Sequence, residues 1–103
     1  MGKLAGKRVV VTGGGQGLGL AIVQGLIAEG CNLAIHYHSS CEGAEGLVAD
    51  ATQANLKAQA FQADLTDEQQ TKAFVQSTAE FLGGIDILIN NGVRHPARPG
   101  RGP

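Results

Sequence analysis

The sequence predicts an α/β protein in which parallel strands alternate with helices, and three observations support this prediction. Short apolar or alternating runs, typical of strands, recur at residues 8–12, 32–37, 57–63 and 85–89. Segments with apolar residues at helical spacing separate these runs. A glycine-rich stretch at residues 13–19 joins the first run to the first helical segment. Four strands and three helices in this order predict right-handed crossovers and the strand order 3-2-1-4.

Composition excludes several kinds of partner. The 103 residues suffice for one domain with a modest core, and 8 Lys and Arg against 9 Asp and Glu give a formal net charge of -1. Neither nucleic acid nor a membrane is therefore an expected partner, and no apolar run approaches the ~20 residues that cross a bilayer.

The two cysteines, Cys31 and Cys41, form no C-x-x-C pair. This pattern fits a reducing compartment, and we expect a cytoplasmic protein.

Each predicted helix has an expected start, end and buried face. The first should end at Gly30, a residue suited to a left-handed stop. The second should start at Ser39, with Glu42 completing a capping box, and reach about residue 56, while the third should start with a capping box at 66–69 and end at 83–84. The expected buried residues are Leu18, Ala21, Ile22 and Leu26 in the first helix, Ala44, Leu47, Val48 and Ala51 in the second, and Ala73, Phe74, Ser77 and Phe81 in the third.

The glycine-rich stretch is the strongest functional signal. It fits the pattern T-G-x-x-x-G-x-G from Thr12 to Gly19. Glycine allows a sharp turn and a close approach of the backbone to a ligand, and the free N–H groups at the start of a helix favour a phosphate. The alternative is a glycine-rich hairpin or flexible linker. The candidate phosphate-binding residues are Gly13, Gly15, Gln16, Gly17, Leu18 and Gly19.

Together with two later segments, this stretch resembles the short-chain dehydrogenase/reductase family over residues 4–92. The segment 63–65 (Ala-Asp-Leu) and the segment 87–92 (Ile-Leu-Ile-Asn-Asn-Gly, similar to the family's N-N-A-G) carry the rest of the resemblance. It implies a Rossmann-type dinucleotide-binding domain, with the pyrophosphate on the glycine stretch. It further implies that Asp64 and the Leu65 backbone hold the adenine, and that Asn90, Asn91 and Gly92 lie against the nicotinamide ribose. Taken alone, Asp64 could serve only as a strand-end or capping residue, and 90–92 could be a turn.

The end of the second strand favours NADP over NAD. An Asp or Glu there binds the ribose 2′-OH and repels a 2′-phosphate, whereas this chain has His36, Tyr37, His38, Ser39 and Ser40, with no acid before Glu42. Tyr37, His38 and Ser39 are the candidate 2′-phosphate ligands. The stretch is also similar to pteridine reductases and beta-oxoacyl-carrier-protein reductases. The missing acid argues against an epimerase or a methyltransferase, and the simplest alternative is that these are ordinary strand-end and capping residues.

The resemblance implies catalytic residues that this chain does not have. Family members use a Tyr with a Lys four residues later, but the single tyrosine here is Tyr37, and Cys41 stands four residues after it. An alanine is missing between Asn91 and Gly92, and residues 93–103 form a Pro/Arg/Gly tail that we expect to be disordered. We therefore expect a domain at 1–92, truncated or frame-shifted, that is inactive alone and could self-associate through its fourth strand. The alternatives are a non-catalytic dinucleotide-binding module and a non-functional fragment.

Overall fold

Four strands and three helices alternate in the computed structural model, which describes residues 3–14, 17–39 and 41–91. The elements are β1 (Arg8–Thr12), α1 (Gly17–Glu29), β2 (Asn32–Tyr37), α2 (Glu42–Gln53), β3 (Ala58–Gln62), α3 (Glu68–Leu82) and β4 (Ile87–Asn90). All strand pairs are parallel, and the sheet order is β3-β2-β1-β4. The predicted α/β class, Rossmann-type arrangement and strand order are confirmed.

The two central strands are apolar because helices cover both of their faces. Alternate residues of a strand point to opposite faces, so Val9 and Val11 join the core on one side of the sheet and Val10 joins the core on the other. Helices α1 and α2 contribute Val23 and Leu47 to the first core. The second core contains Ala34, Ala63, Phe74 and Leu82 and is covered by α3. A strand buried on both faces reads as a continuous apolar run, as β1 does.

The predicted buried faces are right for α2 and wrong in part for the other two helices. Ala44, Leu47 and Ala51 are buried in α2, with Val48 half-buried. In α1 the buried residues are Gly19, Val23 and Leu26, whereas Leu18 is 70% exposed and Ala21 is also exposed. The buried residues of α3 are Phe74, Thr78 and Leu82, whereas Ala73 and Ser77 are exposed. The buried row has steps of four and three residues in α1 and of four residues in α3, and it lies one position away from much of the predicted row.

Both predicted capping boxes are wrong. The N-cap of α2 is Cys41, and the Cys41 side chain makes no capping hydrogen bond to the helix. The N-cap of α3 is Asp67, whose carboxylate accepts hydrogen bonds from the backbone N–H groups of Gln69 and Gln70. Thr66 does not cap the helix because its hydroxyl donates to Asp64 instead.

The predicted glycine stops are confirmed, and several predicted boundaries shift. Gly30 and Gly83 have φ of 88° and 80°, the left-handed conformation that ends a helix. Helix α2 ends at Gln53, before the predicted residue 56, and β4 spans Ile87–Asn90 in place of the predicted 85–89. Residues 85 and 86 form the connection before β4, where Asp86 accepts hydrogen bonds from the Arg8 guanidinium at 3.0 Å. The predicted tail at 93–103 lies outside the described residues.

Strand β4 lies at an edge of the described sheet. It pairs with β1 on one side, and Leu88, which points away from the half-buried Ile87 and Ile89, is 56% exposed. No helix in the described ranges is long and apolar enough to cross a membrane.

Candidate functional site

The described site residues predicted from the sequence lie along the carboxyl edge of the sheet, which is the edge where all four parallel strands end. Described segments 13–14 and 17–19 follow β1, 37–39 end β2, 64–65 follow β3, and 90–91 end β4. Because the order is β3-β2-β1-β4, these segments run along that edge in the order 64–65, 37–39, 13–14 with 17–19, and 90–91. The predicted site residues Gly15, Gln16 and Gly92 lie outside the described residues.

The glycine segment adopts a turn that side chains would obstruct. Gly13 and Gly17 have φ of 66° and 54°, in the left-handed region where glycine is favoured. Gly14 is buried, and its N–H donates to the His36 carbonyl oxygen at 3.1 Å. A Cβ atom on Gly14 would lie 2.8 Å from a methyl carbon of Ile35. The segment therefore turns sharply and packs directly onto β2, which a flexible linker would not do.

Gly19 brings the first turn of α1 against the end of β1. A Cβ atom there would overlap the Gly13 carbonyl oxygen and lie 2.6 Å from Nδ2 of Asn91. The helix N-terminus can therefore approach the turn only because residue 19 has no side chain. The first turn of α1 contains no acidic side chain, so the N-terminal end of this helix remains favourable for an anion.

Two side chains hold Gly13 from opposite sides. Its N–H donates to Nδ1 of His36 in β2 at 2.9 Å, and its carbonyl oxygen accepts from Nδ2 of Asn91, just after β4, at 3.3 Å. One residue of the turn is thus tied to the strands on both sides of β1. His36 was missed as a site residue by the sequence reasoning, although a polar residue inside an apolar strand run is a signal that could have found it.

The first Asn of the 90–91 pair is also held by β1. The Thr12 hydroxyl oxygen lies 3.1 Å from Oδ1 of Asn90 and 3.5 Å from the carbonyl oxygen of Ile89. Thr12 and Asn90 are register partners in the parallel ladder. These contacts and the Asn91–Gly13 bond explain why amide side chains stand at the end of β4.

The Asp64 carboxylate is half-buried and partly engaged locally. Its Oδ1 accepts from the Thr66 N–H at 3.0 Å and the Thr66 hydroxyl at 2.6 Å. These bonds, followed by the nearby His38 imidazole, lower the pKa of Asp64 below its ordinary value. Oδ2 has no hydrogen-bond partner within the described ranges, so an ionised acceptor oxygen is available at the end of β3. Leu65 is half-buried and packs against the second core.

The end of β2 presents polar groups and no carboxylate. Tyr37 is half-buried against the first core, whereas His38 and Ser39 are exposed. The His38 carbonyl oxygen accepts from Nε2 of Gln62 at 2.9 Å, which fixes the backbone where the strand ends. The described residues include no cluster of His, Cys, Asp and Glu side chains that could hold a metal ion.

Comparison with known families assigns the chain. The model of the family described as short chain dehydrogenase matches residues 7–100. The protein belongs to the short-chain dehydrogenase family.

Individual relatives agree with this membership. An uncharacterised oxidoreductase of Methylorubrum extorquens is 40% identical over 91 residues, which is 88% of this chain and 37% of that protein. A short-chain dehydrogenase from Burkholderia cenocepacia, solved in complex with NADP, is 43% identical with a TM-score of 0.83, covering 87% of this chain and 37% of that one. An NADH-dependent reductase solved with NAD is 31% identical with a TM-score of 0.77, covering 85% and 36%. This short-chain dehydrogenase family member therefore spans little more than a third of the length of these relatives.

Proposed function

We propose that this chain binds a nicotinamide dinucleotide at the carboxyl edge of its sheet, and that it prefers NADP to NAD. The observation that carries the proposal is the glycine segment, which is tied on both sides of Gly13 and approached by the first turn of α1 at Gly19. A Cβ atom at residue 19 would fill the space between turn and helix, so the residues present fit a backbone cradle for a diphosphate. The NADP-bound relative from Burkholderia cenocepacia supports the choice of ligand.

Each segment along the edge would hold one part of the cofactor. The segment Gly13, Gly15, Gln16, Gly17, Leu18 and Gly19 would hold the diphosphate, and Asp64 and Leu65 would hold the adenine through the carboxylate and the backbone. Tyr37, His38 and Ser39 would face the 2′-phosphate, which no carboxylate at the end of β2 repels. Asn90, Asn91 and Gly92 would lie against the nicotinamide ribose.

We further propose that the chain has no oxidoreductase activity by itself. When bound, NADPH would supply a hydride for carbonyl reduction, but a proton donor must also be positioned at the substrate carbonyl. The single tyrosine, Tyr37, packs against the first core and is followed four residues later by Cys41, not by a lysine. The proposed role of the chain is therefore that of a cofactor-binding module in the cytoplasm. NADPH oxidation above a protein-free control with diacetyl or acetoacetyl substrates would contradict this.

The binding proposal is tested by titrating the purified chain with NADPH and NADH and following nicotinamide fluorescence. The variant H38D places a carboxylate where we put the 2′-phosphate. Two unit charges 4 Å apart in water repel by about 1 kcal/mol, and a phosphate near −2 doubles this, so NADPH affinity should fall by about 30-fold. NADH affinity should not fall.

The matched control is Q24E, which adds the same charge at an exposed position of α1. It should leave the ratio of NADPH to NADH affinity unchanged. Equal losses in H38D and Q24E would show that the 2′-phosphate does not lie at the end of β2. Failure of the native chain to bind either dinucleotide would favour the non-functional fragment.

We also propose that the chain associates with itself along β4. The outer backbone edge of this apolar strand pairs with no other strand within the described ranges. The exposed Leu88 lies on this edge strand, and Val75, 45% exposed, lies on α3. L88K should shift the chain toward monomer in analytical ultracentrifugation, whereas V75K should not. A native chain that stays monomeric at high concentration would contradict the proposal.

A further inference from the structure

We propose that His36 is a positioning residue that holds Gly13 in place at the end of β1, so that dinucleotide binding requires the neutral imidazole. The inference rests on the proposed function and adds to it a pH dependence that originates inside the protein. It is carried by the hydrogen bonds at the two ring nitrogens, which join the end of β1 to the end of β3.

The partners of the ring fix its tautomer. The Gly13 N–H can only donate, so Nδ1 of His36, 2.9 Å away, must accept with its lone pair. The Ala63 carbonyl oxygen can only accept, so Nε2, 2.8 Å away, must carry the proton. This single tautomer of the neutral ring satisfies both bonds. The ring links the residue that begins the proposed diphosphate cradle to the residue just before Asp64, at the proposed adenine end.

Protonation breaks one of the two bonds. In the imidazolium form both nitrogens carry hydrogens, so the bond to Ala63 survives while Nδ1–H and the Gly13 N–H point at each other. Gly13 must then move, and with it the carbonyl oxygen that Asn91 binds at 3.3 Å. The glycine segment is distorted at its first residue, and the adenine end is left in place.

The surroundings of His36 keep it neutral at physiological pH. The side chain is 4% exposed, and the Phe74 ring of α3 lies edge-on with ring centroids 5.3 Å apart. Burial is the main cause that lowers the pKa of His36 below its ordinary value, and the charge of His38 acts in the same direction, while the bond to Ala63 opposes them. Because the folded-state pKa lies below the unfolded one, this group's contribution to stability is complete above the unfolded value and is lost as pH falls toward the folded value.

Within the described ranges, the groups in direct contact with the ring are uncharged. The end of β1 presents the Gly13 amide, the end of β3 presents the Ala63 carbonyl, and α3 presents Phe74. The titratable neighbours are His38 and Asp64, and the His38 charge acts on Asp64 as well. Both remain in every variant below, so differences between variants report on residue 36.

Two substitutions test the two hydrogen bonds of the His36 ring one at a time. H36N places an amide oxygen near the Nδ1 position, where it can accept from Gly13, and it cannot titrate. H36Q places its amide group near the Nε2 position, where it can donate to Ala63, and leaves the Gly13 N–H without its acceptor. Both lose some packing against Phe74, so a purely structural role predicts similar losses of stability and similar affinities in the two variants.

The experiment is calorimetric titration with ADP-ribose, which contains the diphosphate and lacks the titrating 2′-phosphate. At about pH 8 H36N should bind nearly as tightly as the native chain, while H36Q should bind about five- to tenfold more weakly because the partly buried Gly13 N–H has lost its acceptor. As the pH is lowered from about 8 through the titration of the His36 ring, native affinity should fall, by at most about tenfold for each pH unit, and H36N affinity should change less than about twofold.

Equal pH profiles for the native chain and H36N would overturn the inference while leaving the proposed function intact. Absence of both ADP-ribose and NADPH binding by the native chain at the higher pH would instead contradict the proposed function itself, and the inference with it. If H36N does not fold, the inference is tested by nuclear magnetic resonance of the native chain. The Gly13 amide resonance should then shift with the titration of the His36 ring, and an unmoved resonance would overturn the inference.

Discussion

Replacing Gly19 with alanine tests whether the close approach of α1 to the end of β1 shapes the site. Gly19 is buried in the first turn of α1. The added methyl group would overlap the Gly13 carbonyl oxygen and lie 2.9 Å from the Gly13 carbonyl carbon and 2.6 Å from Nδ2 of Asn91, whereas ordinary contacts begin at 3.4 Å. The Gly13 atoms belong to the backbone, so no side-chain rotation relieves that overlap. The start of α1 or the turn must move.

The structure sets the expected magnitude of this change. Overpacking of this kind costs about 1–3 kcal/mol, and loss of the Asn91–Gly13 hydrogen bond adds about 1 kcal/mol. Alanine regains at most about 1 kcal/mol from its better helix propensity. The free energy of unfolding should therefore fall by about 1–3 kcal/mol, and NADPH affinity should fall more than about tenfold because the displaced groups form the proposed cradle.

The assays are urea unfolding followed by circular dichroism and fluorescence titration with NADPH. The matched control is G25A on the same helix, where a Cβ atom would meet nothing within 4 Å. G25A should be neutral or more stable by up to about 1 kcal/mol, with unchanged NADPH affinity. If G19A and G25A proved equally stable and bound NADPH equally well, the close approach at Gly19 would not be what forms the site.

Two other contacts give predictions about stability. The Arg8 guanidinium holds the pKa of Asp86 well below its usual range, so this stabilisation is complete above the ordinary carboxyl pKa and is lost as the pH falls toward the folded-state value. D86N should therefore be less stable than the native chain at neutral pH, and their urea midpoints should converge in strong acid; a gap independent of pH would contradict this. At the N-cap of α3, D67A should lose about 1 kcal/mol of unfolding free energy, whereas S39A, which removes no cap, should stay within about 0.5 kcal/mol of the native chain. Similar losses in both variants would contradict the assignment of Asp67.

The order of the fold was predictable because strand and helix periodicities differ and because glycines mark the ends of two of the three helices. Gly30 and Gly83 end α1 and α3 in the left-handed conformation that the sequence predicts. The faces of α1 and α3 were less predictable, since their apolar residues do not form a single row. In α1, Leu18 is as apolar as Leu26, yet the close approach at Gly19 turns Val23 and Leu26 toward the sheet and leaves Leu18 exposed. Which residues of α1 are buried therefore depends on a tertiary contact, the approach of Gly19 to Gly13, which the local sequence pattern does not show.

The capping errors have a similar cause. The segment from Thr66 to Gln69 has capping-box spacing, but the neighbouring Asp67 is a residue type that is preferred over threonine at the N-cap. Asp64 decides between them, because its Oδ1 accepts from both the N–H and the hydroxyl of Thr66. A local pattern cannot show which of two neighbouring oxygens is already engaged. The sequence left open that Asp64 serves only as a strand-end residue or helps a cap at Thr66. Asp64 does bind Thr66, but Thr66 is not the N-cap, and Oδ2 of Asp64 has no hydrogen-bond partner in the described ranges.

The sheet order determines how the candidate site is held together. Strand β1 lies between β2 and β4, so the residue at its end, Gly13, can receive one side chain from each neighbour, and His36 and Asn91 occupy these two positions. The alanine missing after Asn91 does not remove these bonds, because Asn91 still binds Gly13 and Asn90 still contacts Thr12. The departure from the family pattern therefore falls beyond residue 91, on the proposed ribose side. The proposed adenine contacts, and the proposed diphosphate contacts at Gly13 and at residues 17–19, depend on residues within the described ranges and can be tested in this chain alone.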